Sequence, residues 1–159
     1  MAAKLESVRL MKQVDEQPDL SWIGSYASTY GGSDIVVDRQ ERGHADSRQH
    51  RYFIWANQSN YKEPLKPRER RELEQDYRRM EDYGNGWVMV GVWAEADIVV
   101  DGVIQKLRSG GLWGIESDSD QAYFNSVGQE EYNALKDILK EMGVKGKLPK
   151  FDDLDWRER

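Results

Sequence analysis

The stretch of residues 87–109 constrains the fold more tightly than any other part of the chain. Two largely apolar runs flank Asp101-Gly102, a dipeptide that favours a two-residue β-hairpin turn. If these two residues form the turn, Val100 faces Val103 and the register of the whole hairpin follows. A slip of one residue would turn the acidic side chains of the first strand towards its apolar face, so the register is strongly specified. In this register two opposite-charge pairs share one face: Glu95 with Arg108, and Asp97 with Lys106.

The two faces of the first hairpin strand differ in character. Every even-numbered position from 88 to 100 is apolar, and the small Ala94 and Ala96 indicate that a bulky element, such as a helix, packs on this face. The odd-numbered face begins with aromatic and small residues: Trp87, Met89, Gly91 and Trp93. These residues either form an exposed aromatic platform or pack beneath a second layer. Burial is favoured, because it is the commoner fate of large aromatic side chains.

The remaining pattern predicts an α+β fold built on a single antiparallel sheet of about four strands. Alternation and β-branched runs place the strands at about 34–39, 50–56, 87–100 and 103–109, with residue 115 as an alternative end of the last strand. Apolar residues at helical spacing predict helices at about 67–83 and 128–142. Both helices are expected to pack on one face of the sheet.

Three further segments complete the predicted organisation. Residues 5–11 fit either one strand or a short helical turn, and the apolar spacing over residues 20–30 indicates a partly helical segment. We expect a single domain over residues 1–143, because the length suits one domain. Residues 144–159 are largely polar and are expected to form a C-terminal tail.

Charge and composition exclude several classes of protein. The 159 residues include 29 acidic and 23 basic side chains, and the net charge of −6 disfavours direct nucleic-acid binding. The sequence contains no cysteine, which excludes disulfide scaffolds, cysteine nucleophiles and cysteine-ligated zinc. No run of about 18 apolar residues is present, and the amino terminus lacks the apolar core of a secretory signal. We therefore expect a cytoplasmic protein with no membrane partner and no cofactor.

The segment Glu116-Ser117-Asp118-Ser119-Asp120 is the most conspicuous candidate for chemistry. Its three alternating carboxylates could bind a hard cation such as Mg²⁺ or Ca²⁺, although Gln121 stands where a calcium loop requires glycine. The alternative, which we favour, is the acidic start of a helix, where Asp and Ser side chains accept from free backbone N–H groups. In that case no metal is bound.

Two stretches of the chain resemble known sequences. Pro18–Gly24 (PDLSWIG) and Ser109–Asp120 (SGGLWGIESDSD) resemble segments of small uncharacterised proteins encoded by phages and plasmids. That group has no established activity or catalytic residues to carry over. The resemblance implies only that the protein belongs to a mobile genetic element.

Taken together, the sequence predicts a non-enzymatic protein-protein interaction module. The resemblance suggests an inhibitor of a host defence effector, of the restriction or CRISPR type. One alternative is a small metal-assisted hydrolase or nuclease that uses the 116–120 carboxylates, with Glu95 or His50 as further groups. Another is a single-strand nucleic-acid binder that stacks bases on Trp87 and Trp93.

The oligomeric state stays open. The expected partner-binding residues are Trp87, Trp93, Trp113, Glu116, Asp118 and Asp120.

Overall fold

The fold is α+β, as the sequence predicts. The computed structural model describes residues 3–44, 50–61 and 64–159. The elements follow in the order β1 (Lys4–Val14), β2 (Gly24–Ala27), β3 (Val36–Asp38), β4 (Tyr52–Trp55), α1 (Pro67–Glu81), β5 (Met89–Val100), β6 (Val103–Arg108), β7 (Leu112–Glu116), α2 (Gln121–Glu141) and β8 (Trp156–Glu158). Neither helix is long and apolar enough to cross a lipid bilayer, as judged over these residues.

The single four-stranded sheet of the prediction requires correction. Within the described residues the strands form a five-stranded sheet and a separate three-stranded sheet. The chain accordingly divides into two compact units: unit 1 comprises Met1–Pro18 and Trp87–Arg159, and unit 2 comprises Asp19–Gly86. The expectation of one domain over residues 1–143 stays a prediction.

β5 is the central strand of unit 1. It pairs along its length with the antiparallel β1 on one side, and with β6 and then β7 on the other. The predicted hairpin register is confirmed, since Val100 pairs with Val103 and Glu95 pairs with Arg108. Asp101 adopts a φ of 53°, the left-handed conformation that a two-residue hairpin turn of this kind requires.

Helix α2 covers the even-numbered face of β5, as the small alanines predict. Leu135 and Leu139 pack in one buried cluster with Ala94 and Ala96. The helix begins at Gln121 rather than near residue 128, because the Asp120 side chain caps it by accepting a 2.8 Å hydrogen bond from the Tyr123 backbone N–H. The helix predicted at 128–142 therefore starts about two turns earlier, directly after the acidic segment.

The polar C-terminal segment contributes a strand. β8 pairs in parallel with β1, where Leu10 lies opposite Trp156, and this makes the five-stranded sheet mixed rather than antiparallel. Leu154 is buried in the same core cluster as Leu10. The Trp156 ring packs so closely against α2 that a Cβ on Gly128 would lie 2.9 Å from it. The few apolar residues scattered through this polar segment were too weak a pattern to predict the strand.

Unit 2 is built on the antiparallel order β2-β4-β3, and α1 packs against β4 and β2. The helix predicted at 67–83 is confirmed as α1, with Pro67 in its first turn. The partly helical segment expected over residues 20–30 is wrong, because its centre forms β2. Gly24 allows this pairing, since a Cβ there would lie 2.4 Å from the Phe53 ring. The two helices thus lie on different sheets, not on one face of a single sheet.

The contact between Trp156 and Gly128 makes a prediction about the C-terminal strand. Gly128→Ala should lower the free energy of unfolding by about 1–3 kcal/mol, because the added methyl group overpacks the ring. In a Trp156→Leu background the same change should raise it by up to about 1 kcal/mol, because alanine favours a helix interior over glycine. Urea denaturation of the four variants measures both effects. If Gly128→Ala raised the free energy of unfolding equally in the wild type and in Trp156→Leu, Trp156 would not pack on α2.

Candidate functional site

The odd-numbered face of β5 holds most of the residues that the sequence singles out. Because side chains alternate along a strand and α2 occupies the even-numbered face, this second face collects side chains from β5 and its neighbours. We call it the Trp93 face. It comprises Arg9 and Met11 of β1, Trp87 just before β5, Met89, Trp93, Glu95 and Asp97 of β5, and Trp113 of β7.

An ion-pair cluster lies at one end of the Trp93 face. Arg9 pairs directly with Glu95 across the β1–β5 ladder, and its Nε and Nη2 donate to Glu95 Oε2 at 2.8 and 2.5 Å. Its Nη1 donates to Asp97 Oδ2 at 3.0 Å. The Trp93 indole N–H also donates to Glu95, at 3.4 Å. Glu95 is 1 % exposed, so these donors replace the water that its charge would otherwise need.

Arg9 sets the charge state of both carboxyl groups. Hydrogen bonds from Arg9 hold the pKa of Asp97 below its usual value. Burial would raise the pKa of Glu95, but hydrogen bonds from Arg9 and Trp93 outweigh it and the net pKa is lowered. Both acids are therefore ionised in the folded protein at neutral pH.

The close basic partner of Glu95 is Arg9 and not Arg108, which the sequence suggests. The Arg108 guanidinium lies 4.2 Å from the centre of the Trp93 ring instead of on Glu95, and Lys106 Nζ approaches Glu95 only to 3.9 Å. Arg9 was missed because residues 5–11 fit either a strand or a helical turn. Its position opposite Glu95 depends on a pairing between strands that are distant in sequence.

The three candidate tryptophans divide into two buried and one exposed. Trp87 and Trp93 are buried, which confirms the burial favoured for this face and leaves neither ring open for base stacking. Trp113 is 42 % exposed and stacks on Trp93, with 5.9 Å between ring centroids. Its ring lies over Gly91, where a Cβ would stand 2.3 Å from Trp113 Cε3. Gly91 therefore provides the space that seats the exposed indole.

The carboxylate of Glu131, on α2, positions the loop that leads to Trp113. Glu131 of α2 accepts hydrogen bonds from the Ser109 hydroxyl at 2.8 Å and from the Gly111 backbone N–H at 2.7 Å. The Ser109 hydroxyl oxygen in turn accepts from the Ala94 backbone N–H at 2.9 Å. The loop between β6 and β7 is thus attached to both α2 and β5, and the start of β7 is held firmly.

The acidic turn after β7 serves the start of α2. Asp120 caps the helix, and Ser119 Oγ donates to the Glu116 carbonyl at 2.7 Å. Asp118 and Asp120 are exposed and Glu116 is half-buried. Nowhere in residues 3–44, 50–61 and 64–159 do three or more His, Cys, Asp or Glu side chains converge as a metal ion would require.

Unit 2 contains a second polar network that sequence reasoning did not find. Arg39 donates from Nε to Glu81 at 2.5 Å, and the Tyr26 hydroxyl donates to the same carboxylate at 3.1 Å. The His44 Nδ1 and the Tyr77 hydroxyl lie 2.6 Å apart. Burial and the adjacent Glu81 raise the pKa of both tyrosines, so their hydroxyls stay protonated and that of Tyr26 donates to Glu81. This network joins α1 to β2 and to the loop after β3.

Comparison with protein-family models, with curated proteins and with solved structures found no match to this chain. The resemblance of Pro18–Gly24 and Ser109–Asp120 to phage and plasmid proteins stays a prediction.

The ion-pair cluster leads to a prediction of pH-dependent stability. The folded pKa values of Glu95 and Asp97 lie below their ordinary values of 4.5 and 3.8. The stabilisation is therefore complete above those values and is lost as the pH falls through the lowered folded pKa values. Arg9→Met leaves Glu95 buried without its cation and should cost about 3–5 kcal/mol at pH 7. This loss of stability should be smaller at pH 4, because Glu95 and Asp97, which lack their cation in the variant, then bind protons.

Urea denaturation at pH 7 and pH 4 measures this difference. The control is the triple variant Arg9→Met, Glu95→Gln, Asp97→Asn, which removes all three charges and should be more stable at pH 7 than Arg9→Met alone. An Arg9→Met cost that is the same at both pH values would contradict the assignment of Glu95 and Asp97 as ionised partners.

Proposed function

We propose that this chain acts by binding another protein through an exposed surface of unit 1, which we call the Trp113 surface. It consists of Trp113 with the acidic residues that follow it, Glu116, Asp118 and Asp120. The observation that carries the proposal is a large indole that is half exposed and yet rigidly seated.

The seating of Trp113 favours a role in recognition. Tryptophan is the residue most enriched among side chains that dominate protein-protein binding energy. An indole that already stacks on Trp93 and fits over Gly91 loses little conformational freedom when a partner covers it. The Ser109–Glu131 contacts fix the preceding loop, so the ring is presented in one position before the partner arrives. This preorganisation supports binding more than a mobile surface tryptophan would.

The acidic residues that follow Trp113 in the sequence favour a basic partner. Glu116, Asp118 and Asp120 come three, five and seven residues after Trp113, and they contribute to a net charge of −6. Complementary charge accelerates association and rejects partners of the wrong sign. The surface therefore suits an apolar pocket with a basic rim on the partner.

A host defence effector is the partner that we propose. The resemblance to mobile-element proteins suggests a bacterial host, and restriction and CRISPR effectors carry basic channels that hold nucleic acid. An acidic surface with an aromatic anchor would compete for such a channel. In this proposal the chain is an inhibitor without catalytic activity of its own.

Two variants test whether the position of Trp113 matters. Trp113→Ala removes the indole, and Gly91→Ala keeps it but displaces the ring with a methyl group. Both should reduce recovery of a stoichiometric partner from a bacterial host lysate by at least tenfold, measured by quantitative mass spectrometry on the immobilised chain. The matched control is Trp22→Ala, since Trp22 is 48 % exposed and lies in unit 2.

The acidic part of the surface has its own test. Asp118→Asn combined with Asp120→Asn removes two charges, and asparagine at residue 120 keeps the helix cap. Binding of the recovered partner should weaken and lose much of its salt dependence. Equal recovery by the wild type and Trp113→Ala, or no stoichiometric protein with the wild type, would contradict the proposed function.

A further inference from the structure

Two adjoining cavities lie beside the C-terminal end of α2, within unit 1. The first, of about 290 Å³, lies between the start of β1, the last turns of α2 and the loop that follows. The second, of about 410 Å³, continues along β1 towards Lys150. They share Leu5 and Leu148, so we treat them as one groove and call it the Leu148 groove.

The walls of the Leu148 groove are held in place by backbone hydrogen bonds. Lys145 donates its N–H to the Ala3 carbonyl at 2.8 Å, and its carbonyl accepts from the Leu5 N–H at 2.8 Å. The Tyr132 hydroxyl donates to the Pro149 carbonyl. The loop over residues 143–150 is therefore attached at two points, which holds the walls of the groove in position.

The first cavity has an apolar base. Leu5, Leu139, Val144 and Leu148 line it, and Leu139 belongs to the buried core cluster. Leu148 is 37 % exposed, so its side chain is available at the opening. A volume near 300 Å³ is at the lower end of the range for ligand pockets in proteins, which limits the occupant to a small molecule.

Lysines surround this apolar base in a protein that is acidic overall. Residues 136–150 contain five lysines and only two acidic residues, Asp137 and Glu141. Four of the lysines line the groove: Lys136 and Lys140 at the first cavity, and Lys147 and Lys150 at the second. Three acids share the lining, namely Asp137 at the first cavity and Glu6 and Asp153 at the second.

The helix end explains only part of this positive charge. Lys140 lies in the last turn of α2, where a cation compensates the negative end of the helix dipole. Lys136 lies one turn earlier, with its Nζ 4.8 Å from the centre of the Tyr132 ring. Lys147 and Lys150 are not on the helix. The first cavity thus has two cations and one acid around an apolar base.

We propose that the Leu148 groove binds a small amphipathic anion, with an apolar body on Leu5, Leu139 and Leu148 and a carboxylate or similar group between Lys136 and Lys140. The apolar body gains from leaving water, and lysine ammonium groups are donors only, which suits an anionic acceptor. This site is separate from the Trp113 surface, and the proposal does not depend on the proposed function.

Sodium decanoate, below its micellar concentration, is the probe that tests the site. Titration of the full ¹⁵N-labelled chain should shift amide resonances of residues 136–148 in a saturable manner. Decyltrimethylammonium has the same apolar body with the opposite charge, and it should bind at least tenfold more weakly. Shifts that fall elsewhere in the chain, or equal binding of the cation, would overturn the proposal.

Matched variants separate the groove from general surface charge. Lys136→Gln with Lys140→Gln should weaken decanoate binding at least tenfold, and Leu148→Ser should weaken it several-fold. The control Lys4→Gln with Lys145→Gln removes two nearby lysines that do not line either cavity, and it should change the Kd less than twofold. Thermal unfolding confirms that each variant is folded. A control pair that weakens binding as much as the groove pair would also overturn the proposal.

Discussion

The pairing of Arg9 with Glu95 and Asp97 is the interaction on which the sheet of unit 1 depends. It joins β1 to β5 through side chains as well as backbone, and it neutralises a carboxylate that is almost completely buried. Breaking such a pair leaves an uncompensated charge in a low-dielectric site, which costs far more than the intact pair contributes. The cluster therefore specifies one alignment of β1 on β5 and disfavours any shifted one.

The Trp93 face follows from that alignment. Once Glu95 is satisfied by Arg9 and by the Trp93 indole N–H, Arg108 is available to lie over the Trp93 ring. Trp93 then supports Trp113, and Gly91 leaves the space in which the second ring sits. A polar cluster and an aromatic stack are thus parts of one arrangement, and the exposed indole is its outermost member.

Sequence reasoning succeeded where the deciding contacts are local. The hairpin register and the placement of α1 depend on neighbours within a few residues or across one tight turn. It failed for residues 20–30, whose apolar spacing fits a helix as well as a strand until pairing with β4 decides between them. It also placed the start of α2 too late, near residue 128, because Asp120 and not a later residue supplies the cap.

The sequence by itself determined the α+β class, the hairpin with its register, the two helices and the acidic, cysteine-free character of the chain. Those features are set by local propensity, alternation and charge. Only the tertiary structure decided that the strands form two sheets, that Arg9 rather than Arg108 neutralises Glu95, and that β8 completes the sheet beside β1. Each of these results from contacts between residues far apart in sequence, and a single sequence contains no local pattern that records which distant strand a residue will face.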